Sequence, residues 1–278
     1  MTVHQLPFGV LLRRWRERRR MTQADLAYAA QSSTRHLSCL ETGKAQPSRE
    51  MIARLADYLE IPLRDQNTLL LAAGFAPAFQ ERSLGALDAA TTAIEAILKA
   101  HKPYPAFAVD RHWNVVMSNS ALPQLYEGCS AELMRAPVNA VRLTLHPAGM
   151  GPRIVNYSAW RAHVLAVLRQ QIDARGDTVL QGLLAEVSAY PAPPESEPAE
   201  AFGAAERLAT PLRVATRLGV MSFLGTVTVF GTPNDVTLSE LALEMLFPAD
   251  DATARIAHAM VEEADPSASA AMRSRAAS

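Results

Sequence analysis

From Phe8 to Gly74 the sequence is a succession of short amphipathic runs. Each is cut off by a residue that starts or stops a helix. Phe8, Leu12 and Trp15 recur at i, i+4 and i+7, so one face of the first run is apolar while arginines spread over the other. Thr22 is placed to cap the second run, Asp25 puts a carboxylate in its first turn, and Leu26, Ala27 and Ala30 form its inner stripe. Gln31-Ser32-Ser33 then interrupts. Ser33 caps a third run with Leu37 and Leu40 inward, and Gly43 can end it in a left-handed conformation. Pro47 and Ser48 open a fourth run, with Ile52, Leu55, Ala56 and Leu59 on one stripe, and Pro62 stops it. A fifth runs from about Leu63 to Ala73 and ends at Gly74. Runs this short bury their stripes only against one another. The expectation is an all-α domain of five helices, with a tight break between the second and third that defines a helix-turn-helix.

Charge sharpens this. The chain has 278 residues, is 49% hydrophobic and 20% charged, and carries a formal net charge of −1, an ordinary globular composition long enough for two domains. Yet residues 1–74 hold about 11 Lys/Arg against about 7 Asp/Glu, and the remainder is acidic by about 5. Six arginines fall between Arg13 and Arg20. Such a stripe suits a module facing a polyanion, and it equally suits a solvated helix face. No apolar run reaches the roughly 18–20 residues of a membrane span. The N-terminal charges follow the apolar patch, the reverse of a signal peptide. Cys39 and Cys129 have neither metal-ligand spacing nor a disulfide framework. These features predict a reduced, cytoplasmic protein without a membrane partner or metal. With no G-x-S-x-G, P-loop or H-E-x-x-H, and with half a dinucleotide fingerprint at most in Gly149-Met-Gly151, no enzyme is expected.

The stretch "FGVLLRRWRERRRMTQADLAYAA…STRHLSCLETGKAQPSREMIARLADYLEIP" resembles the Cro/C1-type, or XRE-family, helix-turn-helix domain through Gln23, Leu26-Ala27, Leu37-Ser38, Glu41 and Gly43. The resemblance implies that the third helix lies in the DNA major groove. Ser33, Thr34 and Arg35 would meet base edges, with Cys39 one turn further on. Arg35 alone among them can bond guanine O6 and N7 together, worth roughly 1–3 kcal/mol of discrimination. Gln23, Thr42 and Lys44 match the family's phosphate contacts. Arg16 and Glu41 stand where the family has a helix-to-helix ion pair. Three positions depart from the pattern: Gln31 replaces the usual turn glycine, Ser32 a small buried apolar residue, and Arg20 a glycine at the end of the first helix. A non-glycine residue held left-handed there costs roughly 1 kcal/mol or more.

"GFAPAFQERSLG" reads as a short hinge. After it the expected order is a helix at 86–100, strands at 106–109 and 113–117 around an Asp-Arg-His turn, and a short helix after Asn119. A strand or buried run follows in "VNAVRLTLHP", then helices at 158–172 and 177–190. Residues 191–206 read as a solvated excursion. Two strands turn at Leu218-Gly219, and "LSELALEMLFPAD" is expected as a closing helix.

"PYPAFAVDRHWNVVMSN", "LHPAGMGPRIVNY" and "TVTVFGTPNDVTLSELALEMLFPAD" together resemble the ligand-binding domain of MmyB-like transcription regulators, which join an XRE helix-turn-helix to a PAS-like domain. The implied organisation is a DNA-binding domain at 1–74, a hinge at 75–85, an α+β PAS-like domain with an antiparallel sheet at 86–253, and a largely disordered tail at 254–278. The implied function is a transcription regulator, acting as a homodimer on a palindromic operator in double-stranded DNA, with a fatty acid or similar lipophilic molecule as ligand and no other cofactor. Phe107, Val115, Met117, Met221, Phe223 and Val227 offer an apolar sheet face that either closes over an acyl chain or packs on helices. Arg153, beside Asn156 and Tyr157, is the first candidate for a carboxylate head, with His146 and His163 nearby in sequence. Each of these also suits a structural role. The alternative function is a repressor whose C-terminal domain only dimerises or binds a protein partner.

Overall fold

A computed structural model describes residues 6–194 and 210–264. The chain forms two compact units. The first reaches to Ala86 and takes in two later pieces, Asp173–Arg175 and Gly231–Ser239. The second holds Leu87–Ile172, Gly176–Phe230 and the chain from Glu240 on.

The first unit contains the five expected helices: α1 Phe8–Arg18, α2 Gln23–Ala29, α3 Thr34–Glu41, α4 Arg49–Tyr58 and α5 Leu63–Ala72. Their starts follow the sequence closely. Thr22 accepts from the Asp25 backbone N–H, and the Asp25 carboxylate accepts in turn from that of Thr22, a reciprocal capping box. Ser33 caps α3 through the His36 N–H at 3.1 Å, and Ser48 caps α4 through Met51 at 3.2 Å. Leu12, Leu26, Leu37, Leu40, Ile52, Leu55 and Leu59 are almost wholly buried in one core. The crossing of α1 over α3 is close: a Cβ added to Gly9 would stand 2.4 Å from the Glu41 carbonyl oxygen, so only glycine fits.

Residues 75–85 are tied down inside this unit. The Asn67 side chain donates to the Phe79 carbonyl at 2.7 Å and accepts from the Ala78 and Phe79 amides. Gln80 pairs with Asp235, and the Arg82 guanidinium meets the buried Asp235 carboxylate at 3.0 Å.

The second unit is built on a five-stranded sheet, all antiparallel, in the order β2-β1-β5-β4-β3. The strands are β1 Ala106–Val109, β2 Val115–Ser118, β3 Leu212–Thr216, β4 Gly219–Val229 and β5 Ala242–Pro248. Around it lie α6 Asp88–Ala100, α7 Leu122–Leu125, α8 Ala140–Leu145, α9 Tyr157–Arg175, α10 Thr178–Ser188 and α12 Asp251–Ala264, with α11 Val236–Ser239 in the segment belonging to the first unit. Buried Asn119 knits α6, β1 and α7 together: its amide donates to the Leu98 and Tyr104 carbonyls and its oxygen accepts from Ala106 and Ala121.

Three expectations are corrected. "VNAVRLTLHP" is the helix α8, because Asn139 caps it through the Arg142 N–H at 3.1 Å. The expected closing helix over 238–250 is instead β5 over most of its length, the central strand, where pairing with β1 and β4 on both edges overrides the helix preference of its Leu and Met residues. The expected tail from 254 is helical as far as Ala264, with Ala257 and Met260 buried in the domain core. The later tail, and the excursion from residue 195 onward, lie outside the described residues.

Candidate functional site

In the first unit, α3 presents its N-terminal turn outward. Ser33, Thr34 and Arg35 are exposed, Cys39 is half-buried, and Thr42 and Lys44 are exposed in the turn beyond. Leu37 and Leu40 anchor the opposite face. Several of these groups already hold the helix itself. The Ser33 hydroxyl is the N-cap, and the Thr42 hydroxyl donates to the Ser38 carbonyl at 2.8 Å.

Beneath the surface, Arg16 makes a two-pronged pair with Glu41, and its third arm donates to the Met21 carbonyl at 2.8 Å. Gln23 joins this cluster, donating to Glu41 at 2.8 Å. The first residue of α2 and the last of α3 are thus fixed to each other and to α1, which sets the angle at which α3 is offered. The turn between α2 and α3 has the glycine-like geometry despite its sequence, with Gln31 at φ 51°, and Arg20, between α1 and α2, is likewise left-handed at φ 55°. Sequence reasoning passed over Tyr28, which stands 88% exposed on α2. A large exposed aromatic with a hydroxyl beside the α2–α3 turn is suited to a backbone phosphate.

In the second unit, a cavity of about 500 Å³ lies between the inner face of the sheet and helices α7 to α9, within the size range of small-molecule sites. Its floor is Phe107, Glu244, Leu246, Gly225 and Val227. Its walls include Trp113, Leu122, Tyr126, Val141, Met150, Trp160, His163 and Val164.

The register explains the floor: Phe107 faces Glu244 across β1 and β5, and Glu244 faces Val227 across β5 and β4. Trp113 is held there by a left-handed backbone, φ 68°, that a bulky residue rarely adopts. The Asp110 carboxylate organises its turn, accepting from the His112 and Asn114 amides, and the Trp113 ring N–H donates to Gln171 at 2.9 Å.

Of the residues anticipated for ligand contact, Phe107, Val227 and His163 line the cavity. Burial lowers the His163 imidazole below its usual range, so it is neutral near pH 7. The others are placed elsewhere. The Arg153 guanidinium donates to the Leu125 carbonyl. Asn156 is fully buried, donating to Pro211 at 2.8 Å and accepting from Arg213 at 3.1 Å. The buried Tyr157 hydroxyl donates to Leu145 at 2.9 Å. His146 accepts from the Ala148 amide through Nδ1 and packs against Tyr190. Phe223 is buried in the core below the cavity. Met117 faces the other side of the sheet, in a hollow with Glu95 and Leu98 of α6. A register irregularity between Ala108 and Val109 reverses the facing expected from Val115.

The group the sequence did not advertise is Glu244. In the closing helix expected there a glutamate is unremarkable. Placed on the inner face of the central strand, it is half-buried, and burial pushes its carboxyl up to about 7.

Among the described residues no group of three His, Cys, Asp or Glu side chains is placed to hold a metal. No helix of the described residues is long and apolar enough to cross a membrane.

A helix-turn-helix unit joined to an α+β unit enclosing a small-molecule cavity defines a ligand-responsive class of DNA-binding regulators. The MmyB-like transcription regulator ligand binding domain matches residues 90–260, more than half of the sequence, and a helix-turn-helix domain matches residues 7–69. The chain belongs to the MmyB-like transcription regulator family. Among solved structures it is similar to the clp gene regulator ClgR from Corynebacterium glutamicum, at 28% identity over 34% of this chain and 90% of that one, with a TM-score of 0.22. No curated protein matches.

Proposed function

We propose that the protein is a cytoplasmic, dimeric, sequence-specific transcription regulator whose second unit senses a small lipophilic molecule. Thr34 and Arg35 read base edges, while Gln23, Thr42 and Lys44 hold phosphates, with Ser33 and Cys39 at the same interface. Gln23 and Thr42 would do so while keeping the helices in place, since each already makes a structural hydrogen bond. One helix-turn-helix covers too little DNA alone, so two copies would address half-sites about 34 Å apart.

The observation that carries the sensing role is the 500 Å³ cavity, whose walls are mostly aliphatic and aromatic. The acyl chain of a fatty acid or similar lipid suits such walls, and the family resemblance implies that class. Binding, not catalysis, is the role these walls support. The route to DNA is chain continuity: β4 and β5, which carry Val227 and Glu244, are joined through Gly231–Ser239, a segment built into the first unit by the Arg82–Asp235 pair. A ligand shifts DNA affinity only by its differential affinity for two arrangements of the protein.

Denaturing purified protein, extracting it with solvent and identifying released molecules by mass spectrometry tests the reading. A stoichiometric lipid supports it. Operator affinity that does not change at saturating ligand overturns it.

A second reading, a domain serving only dimerisation or a protein partner, is favoured by the exposed apolar side chains of β4 and β5. On the face of the sheet away from the cavity, Leu224 and Phe247 stand opposite each other and are both exposed. Deleting residues 86–278 separates the two, by whether ligand sensitivity or only dimerisation is lost.

A further inference from the structure

Glu244 occupies an unfavourable place for a carboxylate. It lies on the central strand, on the face turned toward the core, with Phe107 on one side and Val227 on the other. Among the described residues no donor bonds its carboxyl and no cation pairs with it, and burial alone perturbs it. A buried charge without a partner destabilises a fold, so such a group points to a partner supplied from outside.

The surroundings say what kind of partner. The described residues lining the cavity include no lysine or arginine. Their other polar groups are Thr144, Thr210, Tyr126, His163 and the indole N–H groups of Trp113 and Trp160, that of Trp113 being given to Gln171. The Thr144 hydroxyl already donates to the Ala140 carbonyl at 2.6 Å. Burial raises the Tyr126 phenol, keeping it neutral, and holds His163 neutral as well. Among the described residues the Trp160 N–H is buried without a partner, but neutral donors such as this N–H and the Thr210 hydroxyl are weak counterparts for a carboxylate facing another carboxylate. The aromatic rings of Phe107, Trp113, Tyr126 and Trp160, by contrast, present faces that attract a cation.

We infer that Glu244 is the head-group site of this cavity, and that it selects a lipophilic ammonium ion, an apolar body ending in a protonated amine, over a carboxylate of the same length. The ammonium would donate to the Glu244 carboxylate while its chain lies along Leu246, Val164 and Met150. This rests on the cavity being a ligand site, as proposed above. It replaces a carboxylate head by a cationic one and leaves the apolar chain unchanged.

The test uses the full chain carrying Trp15→Phe, so that fluorescence reports the cavity tryptophans Trp113 and Trp160. Decylamine, decanol and decanoate are titrated at about pH 8, where Glu244 is ionised. The expected result is decylamine binding at least about tenfold tighter than decanoate, the scale of one charge-assisted hydrogen bond. Glu244→Gln should remove that margin and leave decanol binding nearly unchanged. Decanoate binding as tightly as the amine, or an amine preference that survives in Glu244→Gln, overturns the assignment while decanol binding upholds the cavity. Failure of all three probes overturns the assignment and the cavity reading together.

Discussion

Arg16 and Glu41, 25 residues apart, meet beneath the exposed face of α3 with Nε to Oε1 at 2.6 Å and Nη2 to Oε2 at 3.0 Å. Their side chains are 10% and 3% exposed, so neither charge is left to water. Because Gln23 bonds the same carboxylate, one cluster fixes the ends of α2 and α3 together.

Removing one partner strands the other charge. Glu41→Met should cost about 3–5 kcal/mol in urea unfolding, and the double change Arg16→Met/Glu41→Met should recover most of that loss. Single and double variants of equal stability would show that the pair does not organise the domain.

The α2–α3 turn stores strain at Gln31, whose φ of 51° suits glycine. Gln31→Gly should stabilise the first unit by up to about 1 kcal/mol, the relief of a left-handed L-residue less the added chain entropy. Sequence preference should not change, since Gln31 only shapes the turn. An unchanged or lowered melting temperature would contradict this.

Gly225 offers a way to fill the cavity. A Cβ there meets nothing nearer than the Leu246 Cδ2 at 3.8 Å, an ordinary contact. Gly225→Leu should therefore fold normally while losing any ligand that co-purifies with the wild type. Mass spectrometry of extracts from both proteins, beside their melting curves, checks this.

The Glu244 carboxyl ionises near pH 7 when folded, against 4.5 for the unperturbed group. Below about pH 4.5 it is protonated in both states and costs nothing. As pH rises through about 7 the folded state carries the whole penalty, with a ceiling of about 3 kcal/mol. Glu244→Gln should accordingly match the wild type near pH 4.5 and exceed it in stability near pH 8. A difference that does not vary with pH would mean that the carboxyl is not buried in this way.

The helical unit was legible because its signals are local: Thr22, Ser33 and Ser48 each act within three residues, and the family spacing fixed Glu41 against Arg16. Parts of the second unit were legible for the same reason, such as the hairpin turning at Leu218-Gly219. What failed depended on distant partners. Residues 242–248 have helix-compatible periodicity, and only pairing with β1 and β4 makes them a strand. That error concealed Glu244, whose significance lies in its cross-strand neighbours. Met117 was misplaced because an irregularity in the β1–β2 ladder cannot be read from alternation. Arg153, Asn156 and Tyr157 are sensible head-group candidates by type, yet their polar atoms are met by carbonyls and amides of Leu125, Pro211, Arg213 and Leu145.

The most direct measurement is selection of binding sites by the full-length protein from random duplex DNA, repeated with Arg35→Ala and Lys44→Ala. The account predicts a palindromic motif with half-sites about 10 base pairs apart. Arg35→Ala should erase preference at one position of each half-site, while Lys44→Ala keeps the motif, weakens all DNA similarly and lowers the salt slope. No enriched sequence, or an identical motif from Arg35→Ala, would contradict the reading of α3 as the element that recognises DNA.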